Sequence, residues 1–71
     1  MDPNACLAVM RDEAADPADR YTAASGLLNW INNGGFLPIT GYGLGGNTAT
    51  KLMLQEECRK VLRATTKAAG L

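Results

Sequence analysis

Tyr21, Ala24, Leu27, Leu28 and Ile31 recur at the spacing of one helix face, with Thr22, Ser25, Asn29 and Asn33 opposite them. This predicts an amphipathic helix over about residues 17–33. Asp16-Pro17 marks its start, because aspartate can accept from free N–H groups and proline suits the first helical position. Asn33-Gly34 marks its end, where a left-handed residue closes many helices. Asp2-Pro3 gives the same start signal for a first helix over about residues 3–14, with Cys6, Leu7, Val9, Met10 and Ala14 near one side. That helix must stop before Pro17, whose ring pushes the preceding residue out of the helical region. The short link makes the two helices an angled or antiparallel pair. Further on, Leu54, Cys58, Val61, Thr65 and Ala68 step by fours and threes, with Leu62 beside them. They form the seam of a third helix over about residues 48–68, capped by Asn47 or Thr48.

The centres of these stripes predict a core of Leu7, Met10, Tyr21, Leu28, Ile31, Leu54, Val61 and Leu62. The fold class is all-α, a three-helix domain with a long Gly-rich crossover between helices two and three. Seventy-one residues make one small domain, and a chain of this size buries only about 60% of its unfolded surface. Self-association or a protein partner is a common way to make up the deficit. Gly26 lies off the stripe of helix two, where it costs about 1 kcal/mol relative to alanine.

The crossover, Asn32 to Asn47, holds six glycines in sixteen residues. So long a connection in a compact domain is usually ordered by its own side chains or used for binding. Phe36, Leu37 and Ile39 provide apolar anchors, which predicts a first half packed on the helices and a mobile tip, Gly41 to Gly46, exposing Tyr42. Trp30 and Phe36 are expected in the core first. Leu52 and Met53 fall off the seam of helix three, which implies that the crossover folds over its start. Tyr42, Leu44, Trp30, Leu52 and Met53 are therefore the candidate partner-binding residues.

Formal charge is zero, but the halves differ. Asp2, Asp12, Glu13, Asp16 and Asp19 outnumber Arg11 and Arg20 before Phe36, while Lys51, Arg59, Lys60, Arg63 and Lys67 outnumber Glu56 and Glu57 after it, giving −3 and +3. An acidic helix pair beside a basic helix accounts for this. The Arg59, Arg63, Lys67 stripe, partly neutralised by Glu56 pairing with Arg59 or Lys60, leaves a weak nucleic-acid accessory role as a third reading. Gly41-Tyr42-Gly43-Leu44-Gly45-Gly46 fits G-x-G-x-x-G ahead of a helix, where free N–H groups could hold a phosphate. Gly41, Gly43, Gly46 and Lys51 are the candidates for that site, although the strands of a dinucleotide fold are missing. There is no histidine, and Cys6 and Cys58 stand far apart with no metal-ligand spacing, so no catalytic, metal or cofactor site is expected. The cysteines read as reduced, buried residues, with a disulfide as the alternative. No apolar run reaches the ~20 residues of a membrane span and no secretory signal is seen, so the expected location is cytoplasmic.

The run Leu27-Leu28-Asn29-Trp30-Ile31-Asn32-Asn33-Gly34-Gly35-Phe36-Leu37-Pro38 resembles a pattern found in small uncharacterised proteins of bacteria and their phages. The resemblance implies a helix that ends at Gly34 with Trp30 and Phe36 packed across the stop, and carries no function. The expected role is a non-catalytic protein–protein interaction or assembly module, a bacterial or phage accessory protein. The alternative is a small-ligand or phosphate-binding protein using the Gly41–Gly46 loop.

Overall fold

A computed structural model describes residues 2–43 and 46–69. Three helices, α1 (Pro3–Arg11), α2 (Pro17–Asn32) and α3 (Asn47–Ala69), follow one another, with no strand among the described residues. Each Asp-Pro pair starts a helix by the same local device. Asp2 Oδ1 accepts from the N–H of Asn4 at 3.0 Å and Ala5 at 3.4 Å, and Asp16 Oδ1 accepts from Ala18 at 2.9 Å. α1 stops three residues earlier than its apolar pattern allows. Asp12 turns extended and its carboxylate accepts the Ala14 N–H at 3.0 Å, a side-chain turn that replaces another helical step. Arg20 then donates from Nε to the Met10 carbonyl at 3.0 Å, which fixes the corner between α1 and α2.

α2 is the central element: α1 and α3 both pack along it and meet each other only marginally. The buried core comprises Leu7 and Met10 from α1, Ala24, Leu27 and Ile31 from α2, and Leu54, Cys58 and Val61 from α3. Tyr21, Leu28 and Leu62, expected at the centre, are only half-buried. The face of α2 is turned toward Ala24, because a small residue lets neighbouring helices approach closely, whereas bulk alone points to Leu28. On α3 the seam holds from Leu54 through Thr65, whose hydroxyl donates to the Val61 carbonyl at 2.6 Å and so is satisfied without water. Ala68 is exposed.

The end of α2 has the two bonds of a Schellman stop. The Gly35 N–H donates to the Trp30 carbonyl at 2.9 Å and the Gly34 N–H to the Ile31 carbonyl at 3.0 Å. Gly34 has φ +83°, the left-handed conformation such a stop requires. Gly35 serves a different end, since a methyl group there would overlap the indole ring of Trp30. That ring donates from Nε1 to the Phe36 carbonyl at 2.9 Å and meets the Phe36 ring edge-on, with centroids 5.4 Å apart. The packing of Trp30 and Phe36 across the helix stop is thus present, but Phe36 lies on the surface, 66% exposed.

Beyond it the chain runs as an extended strap with period-two burial. Pro38 and Thr40 are buried, Tyr42 is half-buried, and Ile39, Gly41 and Gly43 point to solvent. The expected Phe36–Ile39 anchor is therefore corrected: Leu37 packs against the core, while Ile39 is 87% exposed. Leu37 and Pro38 take the inward positions, and the alternation that follows Pro38 leaves Ile39 outside.

Gly35→Ala should lower stability by roughly 1–3 kcal/mol by driving the pinned indole off its seat; an unchanged thermal melt would show the seat to be looser than described. Cys58 is fully buried and free, and burial, followed by the neighbouring Glu57 charge, pushes its thiol up to about 11. Native Cys58 should therefore label slowly and react promptly after denaturation.

Candidate functional site

A polar cluster joins three elements around Arg11, the last residue of α1. Its Nε and Nη2 donate to Glu57 Oε2 and Oε1 of α3 at 2.7 and 2.8 Å, a bidentate pair. Nη1 donates to the Thr40 carbonyl of the strap at 2.7 Å. Tyr42 closes the cluster, its hydroxyl donating to Glu57 Oε1 at 2.5 Å while the Arg11 guanidinium carbon lies 5.5 Å from its ring centroid. A further bond joins the strap to α1, from the Ile39 N–H to Asn4 Oδ1 at 2.8 Å.

Electrostatics follow this geometry. Hydrogen bonding from Arg11 holds the Glu57 carboxyl below its ordinary value, against a smaller opposing effect of burial. Burial, then the bond to Glu57, pushes the Tyr42 phenol far above its ordinary value, so it stays a donor. The Arg11 guanidinium is held charged, chiefly by Glu57. What the cluster does chemically is hold the strap against α1 and α3. Among the described residues, no three of His, Cys, Asp and Glu are grouped where they could hold a metal ion.

The candidate residues lie in three places. Tyr42, expected at an open tip, is half-buried in the cluster. Trp30 is half-buried under Gly35 at the stop of α2. Leu52 and Met53 are 61% and 50% exposed on α3, and Met53 lines a small hollow with Tyr42 of the crossover. Leu44 lies outside the described residues. Gly41, Gly43 and Gly46 all have positive φ, with open space where a side chain would be. Their backbone conformation, with no close approach of another group, accounts for them. Lys51 stands on the first turns of α3, just after Gly46. It lines a cleft of about 270 Å³ with Gly34, Gly35, Phe36, Leu37, Asn47 and Thr48 at the junction of α2 and α3. Glu56 pairs with Arg63 at 3.3 Å, where Arg59 or Lys60 was expected.

Arg11 and Glu57 were not singled out by sequence. They stand 46 positions apart, and the only available signal is a cation in the acidic half facing an anion in the basic half. A second hollow, of about 440 Å³, lies between α1 and α2 and is lined mainly by Ala5, Cys6, Val9, Ala23 and Gly26, with Asp19 on its wall. Gly26 is one of the residues that line it. No helix among the described residues is long and apolar enough to cross a membrane. Comparison with known protein families, curated proteins and solved structures finds no significant match to this chain.

Because the folded state holds Glu57 below its ordinary value of about 4.5, the unfolded chain takes up that proton first as pH falls. The contribution of Glu57 is full above this value and is lost as pH falls through the lower folded-state value. Glu57→Gln should cost roughly 1–2 kcal/mol near neutral pH, with the gap to the parent closing in acid. Parallel curves for parent and variant in pH-dependent denaturation would rule the clamp out as a source of stability.

Proposed function

We propose that this chain is a non-catalytic protein-interaction module, in which the strap offers Phe36 and Ile39 to a partner. The reading rests on one observation: these side chains, 66% and 87% exposed, project from a backbone that is fixed. Trp30 holds the Phe36 carbonyl, Asn4 the Ile39 N–H and Arg11 the Thr40 carbonyl. Each exposed side chain forgoes roughly 1.5–3 kcal/mol of burial in the free chain. A partner that covers them recovers it without the cost of ordering a mobile loop. Tyr42 and Trp30 serve this role from beneath, by holding the strap, and Leu52 and Met53 add apolar surface on α3. A phosphate-binding role has less support, because Gly41 and Gly43 are not among the residues that line the Lys51 cleft.

Ile39→Asp and Leu52→Asp should leave stability within about 0.5 kcal/mol of the parent, as surface changes do. If the strap is a binding surface, Ile39→Asp should reduce capture of a host protein from a native lysate by about fivefold or more. An unchanged set of captured proteins, or none above background with the parent chain, would overturn the reading.

A further inference from the structure

The hollow between α1 and α2 is separate from the strap, and no α3 residue lines it. Its floor is apolar and small-featured, from Ala5, Val9, Ala23 and Gly26, and Asp19 stands on its wall. Asp12, Glu13 and Asp16 lie on the turn that joins the two helices at the Val9–Asp19 end. None of these acids makes an ion pair among the described residues. The cations of the same half are already engaged, Arg11 with Glu57 and Arg20 with the Met10 carbonyl. The hollow is therefore an apolar groove with a net acidic surround.

α3 carries the complement. Met53, Glu56 and Lys60 line one depression together with Tyr42 and Glu57, whose charge is already met by Arg11, and Leu52 is exposed beside Met53. Glu56 is bridged to Arg63 at 3.3 Å. Arg59 and Lys60 have no carboxylate partner among the described residues. This leaves an apolar pair at one end of the face and unpaired cations toward the other.

We propose that the α1–α2 groove receives α3 of a second copy of this chain, with Leu52 and Met53 entering the hollow and Arg59 and Lys60 facing Asp19 and the acidic turn. A helix laid into the groove between two others is a recurrent recognition mode, and charge of opposite sign on the two surfaces fixes its direction. The groove and the face are different surfaces, so the contact is heterologous: each copy uses its groove once and its α3 face once, building a ring or an open chain. Zero net charge leaves no overall repulsion against such assembly.

The test uses two variants at exposed positions, Val9→Arg in the groove and Met53→Glu on α3, each first checked for an unchanged melt. Sedimentation of the parent from roughly 10 μM to roughly 1 mM should show assembly that grows past the dimer. Raising salt from about 0.05 M to about 0.5 M should weaken that assembly about tenfold. Each variant alone should stay monomeric, with association weakened at least ~10-fold. Their equimolar mixture should form a dimer that grows no further, since one partner keeps the groove and the other the face. A parent that is monomeric throughout, assembly that survives either variant, or a mixture that stays monomeric would overturn the proposal. Capture of a host protein dependent on Ile39 would then still stand, so failure of this contact is distinguishable from failure of the strap.

Discussion

The guanidinium of Arg11 makes the connection on which the arrangement of the other parts depends. α1 and α3 share one core through α2 but barely touch directly, so a side-chain bond between them carries weight. One planar cation binds both oxygens of Glu57 on α3 and the Thr40 carbonyl of the strap. Tyr42 completes the arrangement from the strap side by donating to the same carboxylate. Lysine could not replace it, because three acceptors in two directions need the fork of the guanidinium.

With that connection made, the strap is a fourth structural element. Pro38 and Thr40 are buried, and Leu37 and Tyr42 pack against the helices. The apolar surface that α1 and α3 leave uncovered is closed by extended chain. The cost is visible on the outer side, where the alternation that turns Pro38 and Thr40 inward turns Ile39 outward. Exposed apolar residues here follow from the geometry that closes the core.

Features written in neighbouring residues were legible in the sequence. The two helix starts depend on an aspartate and the residues just after it, and the stop of α2 on Gly34 and Gly35, so both were readable from type and order. The seam of α3 followed from spacing as far as Thr65. The core of α2 was misjudged because bulk pointed to Leu28, while helix approach is set by Ala24. The strap was misjudged because Phe36, Leu37, Pro38 and Ile39 are consecutive apolar residues, with no polar alternation to mark which of them faces in. Arg11 and Glu57 lay beyond reach for another reason: a pair separated by most of the chain leaves no local pattern. The role of Tyr42 depends on that pair, so its burial was equally unreadable, and Leu52 and Met53, expected beneath the crossover, are exposed.

The separation of Arg11 and Glu57 also bears on the order in which the chain folds. Closing a loop of 46 positions costs more conformational entropy than the short turn that brings α1 onto α2, and the cost is met before the contact returns anything. The helices, the α2 stop and the α1–α2 corner are local and can form early. The guanidinium finds its carboxylate only once α3 has docked, so this bond belongs to the native side of the folding barrier. Interactions of that kind govern how slowly a protein comes apart, with little influence on how fast it assembles. In a chain with so small a core, a bond of this kind weighs on how long the native state persists once formed.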